Sequence, residues 1–322
     1  MSLKKCEKMK TNLELVEANG PIEISWCSIF NTYRYFDVHK NTSSTYFCLV
    51  DRDNNSILGV AHFTDIGSGV FRSPSRGTFS GIEFQKADLE QQIFFITQIE
   101  NRMMSKGAKK IAIASAPFHH NIVESTYLFN SLTNVGYSIA GQEMNFAVAV
   151  DSTSLIEKMA YNNRKRVKKC QRSNFIFEQV FTPIECQQVY ELIAENRSSK
   201  GYPISMTSQQ VQEMLKAFPE SVYFFKAVAN GQAVASAICI KIDADVLYVF
   251  YWGDLPGFEQ YSPITFLANG IYEFCQANQF KLMDAGTSTL NGQPNLGLIK
   301  FKENLGMTAA LKLSYIKALN ET

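Results

Sequence analysis

The sequence has little that would mark a secreted, membrane-spanning or metal-dependent protein. No stretch of its 322 residues approaches the ~18 consecutive apolar residues of a spanning helix. The opening MSLKKCEKMKTNLELVE has no continuous apolar core, so no secretory leader is expected. The seven cysteines are odd in number, scattered, and never spaced C-x-x-C. Most lie in apolar runs such as Tyr46-Phe47-Cys48-Leu49-Val50, which predicts buried free thiols in a reducing compartment, hence a cytoplasmic protein. Zinc-ligand spacing is absent, and His119-His120 lacks an H-E-x-x-H context, so no metal is expected. Neither G-x-S-x-G nor a P-loop occurs, which counts against hydrolases and NTPases. Neither sign of charge dominates: Lys+Arg is 31 and Asp+Glu is 30. A formal charge of +1 argues against a general nucleic-acid coat protein.

What is present suits folded domains. Hydrophobic residues make up 46% and charged residues 19%, enough apolar material for two cores in units of about 150 residues each. In the first half, Ile22-Glu23-Ile24-Ser25 reads as a short strand. A hairpin follows, Thr45 to Val50 and Ile57 to Thr64 around a polar turn. A strand at Thr78 to Phe84 precedes a long amphipathic helix from Lys86 to Ser105. Strand 109–114, a helix over 121–132 and a strand-rich run 137–150 complete the half. The two D-x-D patterns, Asp51-Arg52-Asp53 and Asp243-Ala244-Asp245, fall where hairpin turns are expected and are read as turn chemistry.

The second half starts at Asp151, where Ser154 and Glu157 form an S-x-x-E capping box. It then reads strand, two helices, three strands, helix, strand, helix, strand, the last over Ala309 to Ile316. This division predicts domains 1–150 and 151–322, with the last strand able to return to the first domain.

The charge balance hides one concentration of cations. Residues 158–172 read KMAYNNRKRVKKCQR, with no acidic residue among them. On one helix, at about 100° per residue, Arg164, Lys165, Lys168 and Arg172 share a face, while Ile156, Met159, Val167 and Cys170 lie opposite. A solvated face is one reading. With no acidic neighbours to relieve repulsion, a phosphate-bearing ligand such as a nucleotide, coenzyme A or RNA is the other.

This basic segment, Asn163 to Phe175, resembles the basic helix of the Fem-type peptidyltransferases and their tandem GNAT acyltransferase relatives. Further blocks agree in order: Leu247 to Gly253, Tyr261-Ser262-Pro263, Met283-Asp284-Ala285-Gly286 and Gly297 to Gly306. They cover about residues 150–306. In the first half the nearest echo is Ser75 to Gly81. Two departures stand out. Asn174 sits where the family often has Gly, and the Q/R-x-x-G-x-G/A pyrophosphate loop of acetyl-CoA enzymes is missing.

The resemblance implies an α+β fold of two GNAT-like domains in tandem. It also implies transfer of an acyl or aminoacyl group from an activated donor, acyl-CoA or aminoacyl-tRNA, to an amine, with no tightly bound cofactor. In Fem-type enzymes the acceptor is a cell-wall precursor. The oxyanion formed on attack would meet main-chain N–H groups of the strand through Val246 to Trp252. By match to family blocks, Lys302 and Tyr251 are the expected catalytic side chains. Arg164, Lys165, Lys168, Arg172 and Arg197 are expected on donor phosphates, and Arg76 and Tyr202 on the acceptor. An exposed helix lysine and a core aromatic are the plainer readings of Lys302 and Tyr251. Two other functions stay open: a non-catalytic GNAT-fold binding module, and an RNA-binding protein using the basic helix alone.

Overall fold

The computed structural model describes residues 12–74 and 76–319. Cys6, and Ser75 of the first-half echo, lie outside them. The chain divides into two compact units. One holds the described residues up to Gln142 together with those from Leu311 onward, and the other is Glu143–Ala310.

The first unit opens with β1 (Leu13–Glu17), helix α1 (Tyr33–His39), and the hairpin β2 (Thr45–Asp51) and β3 (Ser56–Asp65). Its turn is bent by the Asp51 carboxylate, which accepts from the N–H groups of Asp53 and Asn54. Then come β4 (Val70–Ser73), β5 (Ile82–Phe84), α2 (Leu89–Ser105), β6 (Lys110–Ala114) and α3 (Ile122–Asn134). Helix α2 starts where Asp88 and Gln91 form a reciprocal capping box, and it buries Phe95, Ile96, Ile99 and Met103 at helical spacing. Both faces of β2 are covered: Phe47 and Leu49 join one core, Tyr46 and Cys48 another.

The second unit takes most of β7 (Ser138–Ala149), then α4 (Leu155–Lys158), α5 (Tyr161–Arg172), β8 (Ile176–Val180), α6 (Pro183–Ser199) and α7 (Ser208–Ala217). Three antiparallel strands follow: β9 (Val222–Ala229), β10 (Gln232–Lys241) and β11 (Val246–Asp254). Next are α8 (Pro263–Ala277), β12 (Leu282–Thr287), a small hairpin of β13 (Thr289–Leu290) and β14 (Gln293–Pro294), and α9 (Leu296–Asn304). The last strand, β15 (Thr308–Ala318), pairs with β6 in the first unit from Ser314 to Ala318.

Sheet order in the first unit is β1-β2-β3-β4-β6-β15, with β5 beside β3. In the second it is β7-β12-β11-β10-β9-β8. Each order holds one parallel pair, β4 with β6 and β11 with β12. Helix α8 is apolar nearly all round and sits in the core with Phe225, Ala227, Leu247 and Val249.

Several expectations shift. The strand expected at Ile22–Ser25 is irregular chain, and β1 lies earlier, at Leu13. The boundary expected at 150 falls inside β7, because Asn145 to Ala149 pair with β12. The single basic helix over 158–172 is two helices. Met159 and Ala160 are extended (ψ 154° and 149°), so α5 starts afresh at Tyr161 and Met159 leaves the face assigned to it. Val167 and Cys170 are buried as expected, with Asn163 beside them. Both D-x-D segments form turns, and the described residues hold no group of His, Cys, Asp or Glu able to bind a metal. All six described cysteines are free and buried, and no described helix is long and apolar enough to cross a membrane.

Gly270 of α8 offers a test of packing. A Cβ there would lie 2.2 Å from the Phe177 ring of β8. Gly→Ala in a helix normally gains about 1 kcal/mol, but overpacking costs roughly 1–3 kcal/mol. Gly270→Ala is therefore expected to lower the urea midpoint. A raised midpoint would show that Phe177 yields freely.

Candidate active site

The site is built where β11 and β12 part. The two strands pair in parallel only over Val246–Leu282, Leu247–Met283 and Tyr248–Asp284. Beyond Tyr248, β11 continues to Asp254 against β10 alone, and its register slips at Phe250, between the pairs Cys239–Val249 and Ile238–Tyr251. An extra residue in one strand is a β-bulge, which re-aims backbone groups next to functional clefts. The β12-facing edge of β11 thus loses its strand partner just where the bulge lies.

The parting has a chemical cause. The fully buried Asp284 carboxylate accepts from the Gly286 N–H at 2.7 Å and from Asn145 Nδ2 at 2.8 Å. This bends the chain into Gly286, whose φ of 74° suits a residue without a Cβ. The next two carbonyls, of Gly286 and Thr287, each accept from Lys302 Nζ at 2.9 Å. Lys302 stands on α9, 1% exposed, with Nζ 5.7 Å from the Phe146 ring centroid. Burial lowers its ammonium to about 7, against the opposing attraction of Asp284.

A cavity of about 290 Å³ adjoins this region. Its apolar wall comes from Trp252 of β11, Ile264 at the start of α8, and Leu298 and Phe301 of α9. Its polar rim is Asn196, Arg197 and Lys200 at the end of α6, with Tyr202 and Asp254.

The residues expected from sequence are dispersed. Arg197 and Tyr202 both line the cavity. The Arg197 guanidinium donates twice to the Pro203 carbonyl and lies over the Tyr251 ring at 5.3 Å. The Tyr251 hydroxyl accepts from the Ser205 N–H at 3.1 Å and is bonded to the Ser205 hydroxyl. Tyr251 thus ties down the loop after α6, and its neighbour Trp252 faces the cavity instead. Lys302 binds the last two carbonyls of β12.

Arg164 is occupied away from all of these. Its Nε donates to the Met159 carbonyl at 2.7 Å and its Nη2 to that of Glu157 at 3.0 Å, closing the end of α4. Lys165 lies over the Tyr161 ring. Lys168 and Arg172 are exposed, as is Arg166, and no carboxylate among the described residues lies within ion-pair distance of these three. Arg76 is exposed and belongs to the other unit.

The sequence matches no protein-family model and no curated protein sequence. Solved structures do match. FemX superposes with a TM-score of 0.72 over 91% of this chain and 92% of that one, at 12% identity. L-PGS from Bacillus licheniformis gives 0.60 over 87% and 85%, at 10% identity. A tandem GNAT protein from the clavulanic acid biosynthesis pathway gives 0.50 over 96% and 99%, also at 10%.

The chain has the Fem-type tandem GNAT fold. The α+β class expected from the ordered blocks is therefore the observed one. Within this Fem-type fold, sequence reasoning missed Asn145, Trp252, Asn196 and Asp254 as parts of the site. Asp284 and Gly286 were visible as a block, but nothing in the sequence said that their bonding opens the strands.

The low Lys302 value yields a pH prediction. From about pH 7 to the ordinary lysine range, the unfolded chain holds a proton that folded Lys302 has released. Stability therefore rises with pH across that window. In Lys302→Met this contribution is gone. The Tm of the parent protein relative to Lys302→Met is expected to climb between pH 6.5 and 9.5. A flat difference would mean that Lys302 keeps an ordinary lysine pKa.

Proposed function

We propose that this protein transfers an acyl or aminoacyl group from an activated ester or thioester to an amine, in its second unit. The observation that carries this is the parting of β11 from β12 at the Phe250 bulge beside a cavity with an apolar wall and a polar rim. Attack by the amine nitrogen forms the new C–N bond and puts negative charge on the carbonyl oxygen. The freed edge of β11 offers main-chain N–H groups to that oxygen. Collapse breaks the C–O or C–S bond, the electron pair leaves with the donor's oxygen or sulfur, and the proton from the nitrogen ends on that leaving group. No enzyme nucleophile is required. Burial raises the pKa of every described cysteine, which disfavours a thiolate intermediate.

Lys302 serves here as a positioning residue that holds the end of β12 aside. The exposed cations Arg166, Lys168 and Arg172 of α5 suit a donor phosphate chain. Titration with an acyl-CoA and with a charged tRNA separates the donors. Ligand at about 100 times Kd adds about 2.7 kcal/mol of stability, so the true donor should raise Tm clearly. If neither raises it, the reading fails. If tRNA is the donor, Arg166→Glu with Arg172→Glu should weaken binding at least about tenfold and flatten its salt dependence.

The sealed side chain of Lys302, with two donors already spent on backbone carbonyls, favours a second reading: a binding module that keeps the fold without the chemistry. Product formation decides between them. An enzyme yields the amide from donor and a primary amine, and Lys302→Met should cut kcat at least about tenfold. A binding module yields no amide.

A further inference from the structure

We propose that the cavity beside β11 binds a primary ammonium carried on an apolar or aromatic body, and that Asp254 is the group that holds the ammonium. This rests on reading the cavity as a substrate pocket and specifies what enters it.

The polar atoms around the cavity are already partly committed. Arg197 spends its Nε and Nη2 on the Pro203 carbonyl. Lys200 reaches Asp254 Oδ1 at 3.3 Å, with half of its side chain in solvent. Asn196 Nδ2 donates to the Asp254 carbonyl at 2.5 Å and to Oδ1 at 3.0 Å, fixing the carboxylate from behind. The close approach depends on Gly253, where a Cβ would meet Asn196 Cβ at 2.9 Å. Among the described residues Oδ2 has no hydrogen-bond partner.

The site is therefore a positioned carboxylate with one oxygen unspent, next to an aromatic wall. Trp252 and Phe301 meet edge to face, ring centroids 6.0 Å apart, and Leu298 and Ile264 extend the apolar surface. A carboxylate beside aromatic faces is the chemistry that recognises an ammonium: a charge-assisted hydrogen bond on one side and cation–π attraction on the other. A phosphate there would meet the negative Asp254 while both rim cations are engaged. The Lys200 pair is solvent-exposed and weak, so a ligand ammonium can displace it.

The test uses Trp252 as reporter. The sequence has two tryptophans, so Trp26→Phe leaves Trp252 as the sole indole. Phenethylamine, protonated at pH 7, is expected to change Trp252 emission saturably and to bind at least about tenfold more tightly than neutral N-acetylphenethylamine. Asp254→Asn should bring the two within about twofold of each other. Lys200→Ala removes the competing ammonium and should tighten phenethylamine by about two- to threefold. That outcome stands even if the Asp254 variant folds poorly.

Equal affinity for the two probes, no saturable change with either, or no tightening in Lys200→Ala overturns the proposal. Donor binding and amide formation are measured separately. Amine binding can therefore fail while transfer stands, and transfer can fail while amine binding stands.

Discussion

A buried carboxylate and a buried ammonium hold the end of β12 away from β11, and the second unit's opening depends on them. Asp284 pulls the Gly286 N–H back toward itself, and Lys302 takes the two carbonyls that follow. Had those backbone groups continued into a parallel ladder, β11 and β12 would have paired along their length and left no free edge. The arrangement is costly, since a lysine 1% exposed must shed its water. Two carbonyl acceptors, a neighbouring carboxylate and the Phe146 ring offset that loss.

The first unit shows what happens without such a device. Its parallel pair, β4 with β6, runs from Val70–Lys110 to Ser73–Ile113. The chain then returns to add a bridge between Ser80 and Ser115, and Phe79 beside it is 1% exposed. A parallel pair thus borders an opening in one unit and a filled seam in the other. The difference lies in the β11 bulge and in a few side-chain bonds to the backbone of β12.

Charge follows a similar logic. The net charge of +1 is an average. The seven cations of residues 158–172 divide: Lys158 belongs to α4 and pairs with Asp151, Arg164 closes the end of α4, and Lys165 and Lys169 lie over tyrosine rings. Arg166, Lys168 and Arg172 are exposed with no ion-pair or ring partner among the described residues. Cations that looked equivalent along the sequence are therefore different groups chemically.

Local sequence determined most of the elements. Thr182-Pro183, Asp88 with Gln91, and Ser154 each start a helix where a side chain meets an orphan N–H. The hairpins at Asp51 and Asp243 are written in carboxylates that bond two or three residues ahead. These bonds span a few residues, so they can be read from neighbours alone. The ordered blocks after residue 150 likewise carried the fold. What only tertiary structure decided is the meeting of distant residues. Asn145 comes to Asp284, Asn196 to Asp254, and Ser205 to Tyr251. It also decided the break at Met159–Ala160, where Ala160 donates to the Asn304 carbonyl instead of extending a helix. Such contacts depend on burial and on strand register between residues far apart in the chain, and no local pattern encodes them. Lys302 shows the difference plainly: its place in a helix is legible from its neighbours, but its displaced pKa exists only because the fold closes over it.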